Sequence, residues 1–136
     1  MTEEMKFKLV KILKDNTKWP LILEGVTSSN FPTSIVIPAT IPSSELGIIS
    51  TETGLKYPAW LMQVMIKAKQ SNKILICISD LDQLSTEDQE KFYGMIKYKG
   101  INGYKFPDGT QIIITVSDMT KISKRISSLT LTLKVE

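Results

Sequence analysis

No histidine occurs among the 136 residues, and cysteine occurs once, at Cys77. The first absence excludes imidazole acid–base catalysis and histidine metal sites. Together they exclude a conventional zinc site, and a lone cysteine inside an apolar run has no internal disulfide to form. No apolar stretch approaches the roughly 18 residues of a membrane-spanning helix. The opening Met1-Thr-Glu-Glu-Met-Lys has no uninterrupted apolar segment, which argues against a signal peptide. A cytoplasmic setting is the default expectation. Charge of one sign is also scarce. Lysine and arginine number 17 against 14 acidic residues, a net +3, well below the basic excess of a typical nucleic-acid footprint. Nucleic acid and membrane are therefore not the expected partners. What remains is an ordinary balance of 42% hydrophobic and 23% charged residues. That suits one domain, 1–136, burying about 70% of its unfolded surface.

Apolar periodicity alternates between strand and helix along the chain. Thr2 can cap a helix reaching about Asn16, with Met5, Leu9, Ile12 and Leu13 on one face and Lys6, Lys8, Lys11 and Lys14 mostly on the other. Leu21 to Glu24 and Ser34 to Ala39 read as short buried strands, the second with Pro38 near its end, where a missing donor does least harm. Residues 40–57 carry Pro42, Gly47 and Gly54 and read as a long loop. Pro58 opens a helix with Trp60, Leu61, Val64, Met65 and Ala68 on its apolar face. Lys73 to Ile78 is a β-branched run without alternation, as in a strand covered on both faces. Ser85 and Asp88 start another helix, carrying Phe92, Tyr93 and Ile96, which Gly100 ends. Asn102-Gly103 and Asp108-Gly109 are turn signals around Tyr104 and Phe106, suiting a small hairpin. Gln111 to Val116 and Leu129 to Val135 complete the strands. Trp19 and Trp60 are expected in the core. The order predicts an α/β, three-layer domain like a P-loop NTPase: a mostly parallel five-stranded sheet, helices on both faces and a small β-hairpin.

The turn after the first strand has a P-loop register without its chemistry. A working loop reads G-x-x-x-x-G-K-[ST]; its backbone N–H groups wrap phosphate, its lysine neutralises charge and its hydroxyl binds Mg²⁺. Here Gly25 begins Gly-Val-Thr-Ser-Ser-Asn-Phe-Pro. Asn30, Phe31 and Pro32 stand at the second glycine, the lysine and the hydroxyl residue. Phe31 brings no charge, and Pro32 removes a backbone donor as well as the hydroxyl. About nine residues separate the two flanking strands, too few for the helix that normally offers its N-terminal dipole to phosphate. Ser28 and Ser29 leave an anion nest near Gly25 as an alternative.

From about Glu45 to Arg125 the chain resembles the core of AAA+ ATPases, in particular the MoxR-like branch with a hairpin before sensor 1. Ile74-Leu-Ile-Cys-Ile-Ser-Asp-Leu-Asp-Gln-Leu resembles the Walker B strand, Ser85 to Ile96 the following helix, and Asn102 to Ser117 the hairpin and sensor 1 strand. Ile122-Ser-Lys-Arg-Ile resembles the short helix before the last strand. The departures fall where the resemblance would place chemistry. Ser79 stands at the Walker B aspartate, Asp80 at the catalytic glutamate and one methylene shorter, and Ser117 at the sensor asparagine. No helical lid follows the last strand of this sequence. Arg125 can be compared with an arginine finger or read as an exposed arginine at a helix end.

The resemblance implies a degenerate, catalytically inactive AAA+-like core with no catalytic residues, no metal and no cofactor. It would act as a regulatory, scaffolding or protein-interaction module that contacts a protein partner or associates with itself. Tyr104 and Phe106 at the hairpin tip are the candidate partner contacts, since exposed aromatics supply much interface energy; packing back onto the domain is their other reading. The alternative function is nucleotide binding or weak NTPase activity with ATP and Mg²⁺ on an atypical phosphate loop. Asp80, Asp82 and Asp118 are open to a hard-metal site or to plain capping of the turns that follow the strands. A small core of this kind would suit a phage or mobile-element regulator.

Overall fold

The computed structural model describes residues 2–15 and 19–135. Helix α1 spans Glu3–Asp15; the expected terminus at Asn16 and the side chain of Lys14 lie outside the described residues. Its start is the one the sequence dictates, with Thr2 Oγ1 accepting from Met5 N at 3.1 Å. Strands β1 (Leu21–Glu24) and β2 (Ile35–Pro38) follow. Then come a single helical turn α2 (Ser43–Leu46), β3 (Ile49–Thr51), β4 (Gly54–Lys56), α3 (Ala59–Ala68) and β5 (Ile74–Ser79). A 3-10 segment, Asp88–Phe92, runs into α4 (Tyr93–Tyr98). Last are β6 (Gly100–Ile101), β7 (Tyr104–Lys105), β8 (Thr110–Val116), α5 (Lys124–Ser127) and β9 (Leu131–Lys134).

One five-stranded sheet, ordered β2-β5-β8-β1-β9, organises the domain. All four of its pairings are parallel, with Leu21 opposite Ile113 and Leu131, and Ile76 opposite both Ile35 and Ile112. Side chains that alternate along each strand go to two separate apolar layers. Ile22, Ile37, Ile76, Ile78, Ile112 and Ile114 meet α3, α4 and α5 through Trp60, Leu61, Val64, Met95, Ile96 and Ile126. Leu21, Leu23, Cys77 and Ile113 face the other way and meet α1 through Leu9, with Met5, Ile12 and Leu13 against the same layer. The three-layer α/β expectation holds, with helices on both faces.

Four local readings need correction. Residues 40–57 are not a plain loop: they contain α2 and an antiparallel hairpin, β3–β4. All six hairpin strand residues are exposed, so no inside–outside alternation marks it in the sequence. Trp19 is 48% exposed rather than core, whereas Trp60 is buried. Ala68, expected on the apolar face of α3, is exposed. The left-handed residue that closes α4 is Lys99, at φ 50°, and not Gly100. Gly100 serves the hairpin instead, since a Cβ there would collide with the Tyr104 carbonyl. The β6–β7 turn is as expected, with Asn102 at φ 48° and Gly103 at φ 87°, the two positive angles of a type I′ turn. Asn102 Oδ1 also accepts from Ile48 N at 2.8 Å, which ties the two hairpins together.

Candidate functional site

Open α/β sheets place ligands at the carboxyl ends of their strands, which here are the ends of β1, β5 and β8. The crossover from β1 to β2 must pass β8 and β5, about 14 Å at three strand spacings. Residues 25–34 make it with one 3-10 turn, Ser28–Asn30, and no α-helix. Asn30 folds back on that turn, its Oδ1 accepting from Thr27 N at 3.0 Å and its own N–H donating to Thr27 O. Gly25 N donates to Val116 O, and Phe31 N donates to Ser28 O. Four donors of the loop are thereby satisfied within the protein.

Phe31 is the side chain that sequence reasoning left unplaced. It is 7% exposed and packs with Leu9, Val26, Cys77 and Ile113, covering sheet that a crossover helix would otherwise cover. Gly25 has a structural reason of its own. Its φ is 100°, and a Cβ there would collide with the Val135 carbonyl beside β9. Pro32 is exposed.

The carboxylates at this end act as braces. Asp82 Oδ2 accepts from Ser117 N and Asp118 N, both at 3.0 Å. Glu24 Oε2 accepts from Met119 N at 2.8 Å. Asp118 Oδ1 accepts from Thr120 Oγ1 at 2.6 Å and Thr120 N at 2.9 Å, and the Thr120 hydroxyl leads in holding its carboxyl below the ordinary value. Asp80 sits in left-handed backbone at φ 61°, its N–H donating to the hydroxyl of buried Thr115 at 3.2 Å. Ser79 is buried beneath it, and its carbonyl accepts from Ala39 N. Ser117 is exposed. Among the described residues no group of three or more acidic or thiol side chains is placed to hold a metal ion. Asp82 and Asp118 thus cap the turn that follows β8, whereas Asp80 is tied in through its backbone N–H.

Arg125 is the exposed helix-end arginine, paired with Glu90 at 3.1 Å and lying over the Tyr93 ring at 4.1 Å. The partner-contact expectation fails for Phe106, which is 2% exposed and meets Trp60 edge-on at 6.0 Å. Tyr104 is half-buried, 6.2 Å from Phe106. Sequence reasoning also missed Gln89. Fully buried, it donates to Leu84 O and Lys121 O and accepts from Ser123 N, pinning α5 to the turn after β5. Nothing local distinguishes it from the exposed Gln83.

No family model and no curated protein matches this sequence. Solved structures do match its fold. One is a proline-to-glycine mutant of RuvB from Thermotoga maritima, similar at a TM-score of 0.55 and 13% identity. The likeness covers 98% of this chain and 46% of that one, so the chain spans under half the length of the protein it matches. At that identity the likeness shows the fold alone: an α/β domain with a parallel five-stranded sheet.

Proposed function

We propose that this chain is a catalytically inactive AAA+-like core that works by binding, foremost to a protein partner or a second copy of itself. The burial of Phe31 carries this reading, because an apolar side chain packed into the domain stands at the phosphate-loop lysine position. The residues present do not fit a magnesium–nucleotide. Phosphoryl transfer needs positioning and charge neutralisation together. The Gly25 loop brings no cation, Ser79 brings no carboxylate to the metal position, and Asp82 and Glu24 are engaged with backbone N–H groups. The β6–β7 hairpin immediately ahead of β8 supports reading it within the MoxR-like branch. A phage or mobile-element regulator remains the role that suits such a core.

With Phe106 buried, the partner surface moves to the other hairpin. Ile49, Leu55 and Tyr57 are 38%, 62% and 38% exposed. Ile49 and Tyr57 line a groove of about 410 Å³ with Val36 of the edge strand β2, and Leu55 is exposed on the same hairpin. An open sheet edge next to exposed apolar side chains is a ready docking surface. The test is sedimentation of wild type and Leu55→Asp across a concentration range, alongside phosphate release from ATP with Mg²⁺. The reading expects self-association that Leu55→Asp weakens, and no release above background. A monomer at every concentration, with release abolished by Asp80→Asn, would overturn it.

A further inference from the structure

The net charge of +3 conceals an uneven distribution. Helix α4 and the β6–β7 hairpin form a ridge with a concavity on either side. One, of about 500 Å³, has Lys91, Lys105, Tyr98 and Tyr104 in its wall. The other, of about 330 Å³, has Lys97, Lys99, Lys105, Tyr98 and Trp19. Tyr98 and Lys105 line both. No carboxylate lines either one among the described residues.

Cations and rings alternate along α4. Lys97 Nζ stands 5.6 Å from the Tyr93 ring centre and 5.4 Å from that of Tyr98, and Arg125 lies 4.1 Å from the Tyr93 ring centre and pairs with Glu90. Tyr98 is 70% exposed, a large ring presented to water with a cation beside it. Lys99 lies in the wall of the second concavity. It holds φ 50° as the left-handed residue that closes α4, where glycine would sit without strain.

We propose that α4 and the β6–β7 hairpin bind single-stranded nucleic acid, with phosphates on Lys97, Lys99 and Lys105 and unstacked bases on Tyr98 and Trp19. This goes beyond the protein-binding reading and uses a different face. The exposed rings select the single strand, because a base offers its face only when it leaves the duplex stack. Lysines, as point charges without the arginine fork, hold phosphate without reading base edges, so little sequence preference is expected.

The test is fluorescence anisotropy of labelled oligodeoxythymidine at several salt concentrations. Site variants are Lys97→Gln with Lys105→Gln, Tyr98→Ala, and Lys99→Gly; Lys6→Gln with Lys8→Gln on α1 removes equal charge elsewhere. The site double variant should shallow the logarithmic salt slope by about 1.4, two phosphates at about 0.7 each. Tyr98→Ala should weaken binding about tenfold, one stacked base. Lys99→Gly should weaken binding without lowering the melting temperature, which separates loss of the site from loss of the fold. The α1 variant should leave the slope in place. Equal losses in the α1 and site variants would overturn the proposal. So would equal affinity for duplex with Tyr98→Ala silent, absence of binding at low salt, or binding to phosphatidylserine vesicles alone.

Discussion

Phe31→Ala is the perturbation that bears most directly on the closed crossover. Phe31 is 7% exposed within the layer formed by Leu9, Val26, Cys77 and Ile113. Losing the transfer free energy of the ring costs about 1.5–3 kcal/mol, and the cavity left behind raises the total to about 3–5 kcal/mol. The upper half of that range applies, because the backbone cannot close over the gap. Phe31 N is held by Ser28 O, and Phe31 O accepts from Ser34 N at 3.0 Å and Ser34 Oγ at 2.6 Å. A loss of about 4 kcal/mol is a large part of a stability of about 5–15 kcal/mol. At about 3–4 °C per kcal/mol for a chain of this size, the melting temperature falls by roughly 12–16 °C. Urea unfolding followed by circular dichroism, with calorimetry for the midpoint, reads both quantities. A loss below about 1 kcal/mol would refute the reasoning, since it would mean the ring is not core and the loop is free to open. Phe31→Lys restores the residue type of a phosphate loop, but it buries an amine in an apolar layer, so it should destabilise further and gain no ATP affinity.

Gly25→Ala should cost about 2 kcal/mol or more, because it forces an L-residue to φ 100° against the Val135 carbonyl; amide exchange should then quicken first in β9, next to that contact. Asp82→Ala strips an acceptor from two backbone donors and should cost about 2–4 kcal/mol. Asp80→Asn, which suits left-handed backbone equally well, should change the urea midpoint little. Burial first, and the Asp80 carboxylate second, push the Cys77 thiol up to about 12. Its alkylation at pH 8 should therefore proceed only through unfolding. A thiol whose folded pKa lies above the ordinary value contributes stability that is complete below about pH 9 and is lost as pH rises toward about 12. A Cys77→Ala variant should flatten that alkaline decline, and an unchanged decline would contradict the assignment.

The sheet was legible because buried parallel strands write themselves as uninterrupted β-branched runs; Ile74 to Ile78 and Gln111 to Val116 have no other use for such sequence. The helical caps were legible for a similar reason, Thr2 and Ser85 each closing on a backbone N–H three residues on. What escaped depends on distant partners. Phe31 lies between an asparagine and a proline, in a stretch with no period, and only the sheet above it makes it core. The β3–β4 hairpin is held by backbone pairing and Asn102, with every strand side chain in water. Asp82 resembles any residue of a turn until the chain returns with Ser117 and Asp118. That Lys97, Lys99 and Lys105 share a concavity with Trp19 follows from the hairpin folding back along α4, which no local pattern records.

The central claim is that the strand ends hold themselves closed and leave no seat for a nucleotide. Calorimetric titration of ATP, ADP and a non-hydrolysable analogue with Mg²⁺ into the protein tests it most directly. The account predicts no heat of binding up to millimolar nucleotide, for wild type and for Asp80→Asn alike. Micromolar binding, weakened by a substitution at Gly25 or Asp80, would contradict it and would mean the crossover opens to admit phosphate.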